Sequence, residues 1–154
     1  MNEKPNNRER ECLRVDGLVH RSRSFSFEEL LTMDTIEASD LLHACGTGEP
    51  KGRIGQCRGV LLTDVIGMVE VKIVDHNDTK KMYLSASSED GYVTVFSWQE
   101  LFNTQVGEGV MIVLERDGEK VHGGEHVDLL STNDFLTGPR YVKRLATLRV
   151  RMVE

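Results

Sequence analysis

Five consecutive apolar residues, Val110-Met-Ile-Val-Leu114, stand between Gly109 and the turn-forming pair Asp117-Gly118. A run so short, so rich in β-branched side chains and so sharply closed is a strand covered on both faces; a buried helix needs about 10 residues or more. The rest of the chain must then supply strands beside it and layers above and below. Leu148-Arg-Val-Arg-Met152 supplies one, its apolar and arginine side chains alternating at the two-residue period of a half-buried strand. Leu13-Arg-Val-Asp16 does the same ahead of Gly17, and Lys81–Ala86, Tyr92–Phe96 and Val127–Leu130 are rich in strand formers. Val69–Val74 reads as a further strand, joined to Lys81 through the polar turn His76–Thr79.

Helical signals are short. Ser26-Phe-Glu-Glu29 and Ser97-Trp-Gln-Glu100 each set a serine at an N-cap with a glutamate three residues on, a capping box that satisfies two free amides at a helix start. Val60–Ile66 has helical spacing and stops at Gly67. Ile36–His43 has the propensity of either a strand or a helix, and Gly138-Pro139 leads through Arg140 and Lys143 into what reads as a basic helical turn. Strands dominate, so the expected fold is α+β, mainly β mixed sheets with short helices.

The 154 residues have room for one core. Residues 1–12 are polar and aperiodic and are expected to form a flexible tail, leaving 13–154 as a single domain. Lysine and arginine number 19 against 25 aspartates and glutamates, a net charge of −6, so the polyanionic backbone of a nucleic acid meets no overall attraction. Basic residues gather near the two ends, from Arg8 to Arg23 and from Arg140 to Arg151, which leaves room for a local anion site. No run approaches the roughly 20 apolar residues that cross a bilayer. The opening residues show no apolar signal region, so the chain as written is expected in the cytoplasm; a periplasmic protein trimmed of its signal peptide would read the same. The 3 cysteines, Cys12, Cys45 and Cys57, form no Cys-x-x-Cys pair and cannot all pair within the chain, so a disulfide framework is not expected.

Three places carry chemistry. From Cys45 to Gly59 the glycines at 46, 48, 52, 55 and 59 and Pro50 interrupt every period, and a long loop of this kind is expected to serve a function. Lys51 and Arg53 would favour a thiolate at Cys45, although a lone cysteine is more often a small buried hydrophobe. His122-Gly-Gly-Glu-His126 offers metal-ligand types at helical spacing, but Gly123-Gly124 opposes a helix and favours a solvated turn. Arg140, Lys143 and Arg144 suit a phosphate if they stand at a helix start, or else form a solvated helix face.

Taken in order, these segments resemble the molybdopterin-binding domain of the sulfite oxidase family. The matching pieces are Leu13-Arg-Val-Asp-Gly17, Phe25-Ser-Phe-Glu-Glu-Leu30, the cysteine loop leading to Arg58-Gly-Val-Leu-Leu-Thr-Asp-Val65, and Ser88-Glu-Asp-Gly-Tyr92. They continue through Val110–Leu114 with Asp117-Gly118, then Gly123-Gly124, then Gly138-Pro-Arg-Tyr-Val-Lys-Arg-Leu145. The resemblance implies a mixed α+β fold holding a molybdenum–molybdopterin cofactor whose metal is ligated by one cysteine thiolate, here Cys45. It implies further that Arg140 and Lys143 hold the pterin phosphate and that Asp90 and Tyr92 lie near the cofactor pocket. Arg53 and Tyr92 would face a small anionic or oxyanion substrate, and electrons would pass to a separate protein partner. The sequence departs from the family where Gln56-Cys57-Arg58 replaces a frequent tryptophan, where the arginine pattern after the cysteine has only Lys51 and Arg53 as candidates, and where the family's upstream histidines have no counterpart unless His20 serves. A cofactor-free ligand- or protein-binding module on the same scaffold is the alternative reading.

Overall fold

In the computed structural model, which describes residues 10–39, 41–44 and 50–154, the chain begins as β1 (Glu11–Gly17) and doubles back as β2 (Arg23–Ser26). Leu13 and Val15 point inward from β1 at the expected alternation. Ser26 then opens α1 (Phe27–Leu31): its hydroxyl accepts from the Glu29 amide at 3.0 Å while the Glu29 carboxylate accepts from the Ser26 amide at 2.9 Å. Such a cap contributes about 1 kcal/mol and fixes where a helix this short can start.

Ile36–His43 resolves as strand, in two pieces: β3 (Ile36–Ala38) and β4 (Leu41–Ala44). The expected loop from 45 to 59 is mostly strand where it is described, β5 (Pro50–Ile54) pairing with β4 and β6 (Cys57–Leu61) entering the main sheet. Periodicity concealed β6 because Gly59 lies against the Ile112 carbonyl, where a Cβ would collide; that glycine belongs to a close backbone approach, not a loop. α2 (Leu62–Ile66) follows at once and ends at Gly67.

Val69–Val74 forms no strand. It makes a single bridge, Val19 to Val71, and leaves Val74 95% exposed, so its β-branched residues have no sheet to cover them. Asp75 caps a 3-10 helix, His76–Lys80, in place of the expected turn. Then come β7 (Met82–Ser88), β8 (Val93–Ser97) and α3 (Trp98–Asn103), the last opened by the Ser97–Glu100 capping box. β9 (Val110–Arg116) is buried on both faces from Val110 to Leu114, and β10 (Glu119–Lys120), β11 (Val127–Ser131) and β12 (Val142–Met152) complete the chain.

The strand order β2-β1-β12-β11-β9-β6-β3 is extended by β7, which pairs with β12 and carries β8 at its outer side. β1 runs parallel to β12 and the remaining pairings are antiparallel. β12 therefore has two neighbours in succession along one edge, β11 at Val142–Leu145 and β1 at Thr147–Val150, and β7 along the other. The core between the layers is built from large apolar side chains such as Phe25, Phe96, Leu62, Met111, Leu129 and Leu145. Among the described residues no helix is long and apolar enough to cross a membrane.

Candidate functional site

The entry to β12 is not the basic helical turn read from Arg140–Arg144. Val127 faces Leu145 and Leu129 faces Val142, so β12 carries one residue more than β11 across this stretch and must bulge at Lys143-Arg144. Arg144 takes the left-handed conformation, φ 57°, and its amide, released from the ladder, donates to the Asp128 carboxylate at 2.9 Å. On the opposite edge the β12–β7 register also shifts, between Leu145 and Thr147 beside Ser88. Two irregularities on one strand open the sheet locally.

A hollow of about 260 Å³ occupies that opening, lined by Ser88, Asp90, Tyr92, Gly138, Tyr141 and Lys143. Three sequence-derived candidates, Asp90, Tyr92 and Lys143, thus share one wall. The Ser88 hydroxyl donates to Asp90, which also accepts the Tyr92 amide at 3.3 Å; together they hold the Asp90 carboxyl below the usual carboxylate range. The Tyr92 hydroxyl donates to the Pro139 carbonyl at 2.5 Å and so ties the β7–β8 turn to the segment before β12. Lys143 reaches over the Tyr141 ring, 5.6 Å from its centroid, and has no carboxylate partner among the described residues.

Arg140 goes elsewhere. Its Nε and Nη2 donate to the two oxygens of Asp134 at 2.9 Å each, Nη1 reaches Glu100 at 3.3 Å and the Val95 carbonyl at 3.1 Å, and the guanidinium stacks on Phe96 at 4.3 Å. Burial opposes the charge, yet the bonds to Asp134 and Glu100 outweigh it and hold the group protonated. Arg140 therefore reads as a structural tie between α3, β8 and the 134–140 segment. Arg53 stands on β5 opposite Leu42, and Cys45 lies outside the described residues. His20 lines a separate groove with Arg21, Arg23 and Met68.

The other two cysteines are poor thiolates. Burial pushes the Cys12 thiol up to about 11, and burial raises Cys57 as well, against the opposing pull of Arg116.

Behind the hollow lies a polar cluster that sequence reading did not assemble. Arg116 donates to the Tyr141 hydroxyl and stands 3.8 Å from Asp128; Asp128, its side chain 4% exposed, meets His122 Nε2 at 2.7 Å. Arg116 Nε is buried without a partner among the described residues. His122 has φ 50°, in a 3-10 turn, and its ring lies edge-on to His126 with centroids 6.0 Å apart. Its Nε2 is therefore directed to a carboxylate, and no group of three metal-capable side chains forms among the described residues. The available signal was Asp128 itself, a charge in a strand whose every residue is buried.

No family model matches the chain, and no curated protein matches it. Among solved structures it is similar to the sulfane dehydrogenase SoxCD from Paracoccus pantotrophus, with 19% identity and a TM-score of 0.68 over 99% of this chain and 41% of that one. The chain thus spans about two fifths of that protein's length. A likeness at this identity shows the fold: mainly β mixed sheets with short helices, in the sulfite-oxidase-like arrangement that the sequence resemblance implied.

Proposed function

We propose that this chain is a molybdopterin-binding oxidoreductase module on the sulfite-oxidase-like scaffold, acting on a small anionic or oxyanion substrate and passing electrons to a separate partner. One observation carries the reading: on that scaffold, Asp90, Tyr92 and Lys143 converge on a single hollow. The cation there suits an anionic group, with one ammonium free of carboxylates among the described residues, while the Ser88 and Tyr92 hydroxyls are engaged with Asp90 and the Pro139 carbonyl and shape the wall. Lys143 would hold the phosphate arm of the pterin; Cys45 would supply the thiolate, a role for which half-buried Cys12 and buried Cys57, both with raised thiol pKa, are unsuited. When bound, the group would supply two-electron redox chemistry at a metal held by a soft thiolate.

The chain's own residues have simpler tasks. Lys143 attracts and orients an anion, the Tyr92 hydroxyl holds the rim in place through its bond to the Pro139 carbonyl, and Asp90 stays ionised and fixes the Ser88 hydroxyl and the Tyr92 amide. Arg53, from β5, is assigned to the substrate oxyanion. Protein made in a host that synthesises the cofactor should carry near-stoichiometric molybdenum, and Cys45→Ser should abolish it. In metal-free protein a thiol reagent at neutral pH should label one cysteine rapidly, and that labelling should vanish in the same variant. Metal-free protein from such a host overturns the proposal.

A second reading has its own support. Arg140, expected to share the phosphate, is held by Asp134 and Glu100, and the 260 Å³ hollow lies just under the roughly 300–1,000 Å³ typical of cofactor-sized pockets. A cofactor-free module that binds a small oxyanion through Lys143 would show sulfate binding with no metal.

A further inference from the structure

Both residues that touch Asp128 at hydrogen-bond distance, His122 at φ 50° and Arg144 at φ 57°, hold left-handed backbone conformations that side-chain-bearing residues rarely adopt. Two costly conformations meeting on one buried carboxylate imply that the surroundings require that carboxylate to be there. The consequences run to the hollow by two routes. Asp128 accepts the Arg144 amide and so sets the bulge that presents Lys143; Asp128 also stands beside Arg116, which donates to the Tyr141 hydroxyl in the hollow's wall. On the other side Asp128 and Arg116 open onto a cleft of about 480 Å³ that His122 lines.

We infer that Asp128 is a positioning residue for the oxyanion hollow and that His122, from the far cleft, tunes it by taking up a proton. The inference rests on the reading that the hollow accepts an oxyanion. A carboxylate only accepts, so His122 Nε2 carries its hydrogen in either charge state; protonation adds the charge on the ring. Imidazolium draws on the Asp128 charge that Arg116 otherwise shares and leaves the guanidinium to Tyr141 and the hollow. Affinity for an anion should therefore rise as pH falls and His122 takes up its proton. The groups facing His122 are Asp128 from β11, Arg116 from β9, Asp117, Glu119 and Lys120 from the β9–β10 turn and β10, and Glu125 and His126 on its own segment. Only His126 among these is a second imidazole, and it serves as the control.

The probe is inorganic sulfate, which keeps its charge throughout. Its affinity, measured calorimetrically between pH 8 and 5.5, should tighten by about 5-fold, the lower end of typical coupling between sites. The gain should persist in His126→Gln and vanish in His122→Gln, whose amide still donates to Asp128 but cannot titrate. By reciprocity, added sulfate should raise the midpoint of the His122 ring titration seen by NMR. In sulfate-free protein the Arg144 amide and Tyr141 ring resonances should follow that titration, and should not in His122→Gln. Sulfate failing to bind the wild-type chain sinks the oxyanion reading of the hollow. Stationary Arg144 and Tyr141 resonances, or an unchanged pH slope in His122→Gln, overturn the inference about Asp128 and His122.

Discussion

Arg140 and Lys143 stand three residues apart in one basic segment, and the structure gives them opposite lives. The arginine lies beside Asp134 and Glu100 and over the buried Phe96, with 19% of its side chain exposed; the lysine lies outside, over Tyr141, with no carboxylate near it among the described residues. What separates them is the backbone: Arg140 lies in the turn before β12 and Lys143 in the bulge near its start. A helical turn would have put both on one face, whereas here the first meets Glu100 of α3 and the second lines the hollow. Cationic residues at helix-like spacing are therefore evidence for an anion site only after the backbone that carries them is known.

The difference can be broken by substitution, and Arg140→Ala should do most. It leaves Asp134, largely buried, with the Ser131 hydroxyl but no cation, and uncovers Phe96, so chemical denaturation should show a loss of about 2–4 kcal/mol with little direct effect on sulfate affinity. Arg140→Lys keeps the charge but not the two-pronged geometry, and should cost about 1–2 kcal/mol in the same measurement. If either variant abolishes sulfate binding while still folded, the division of labour between the two residues is wrong. Tyr92→Phe, which removes the bond to Pro139, should cost about 0.5–1.5 kcal/mol. Lys143→Met should leave stability within about 0.5 kcal/mol of the parent while eliminating sulfate binding, an outcome that isolates recognition from folding.

The smallest effect is expected on the acid side. Asp90 has its folded pKa depressed, first by Ser88 and then by the Tyr92 amide, so its contribution is present above about pH 4, the unfolded carboxylate value. It is lost as pH falls through the lower folded value. Acid titration of stability should therefore be shallower in Asp90→Asn than in the parent, and equal slopes would show that the carboxylate does not hold the turn.

What the sequence disclosed and what it hid follow one rule. Features written in contiguous residues were legible: the two capping boxes, the doubly buried β9 and the alternation of β12 all stand where they were expected. Features that depend on a distant partner were not. β6 was masked by a glycine whose reason is Ile112, and Val69–Val74 had the propensity for a strand but no neighbour to complete it. At the hollow, Asp90 and Tyr92, named through the family resemblance, are kept together by the tight turn between β7 and β8, and Lys143 reaches them through the sheet. Arg116, Asp128 and Tyr141 come from β9, β11 and the residue just before β12, and no local pattern could have assembled them.

The last strand of the described chain is the one that three others require. β1, β7 and β11 all hydrogen-bond to β12, and Arg149 grips Asp16 from 133 residues away at 2.7 Å. During synthesis these three strands emerge with a bare edge apiece and stay so until residues 142–152 leave the ribosome. A message truncated just short of that point would yield an adhesive, protease-sensitive fragment instead of a weakened version of the protein.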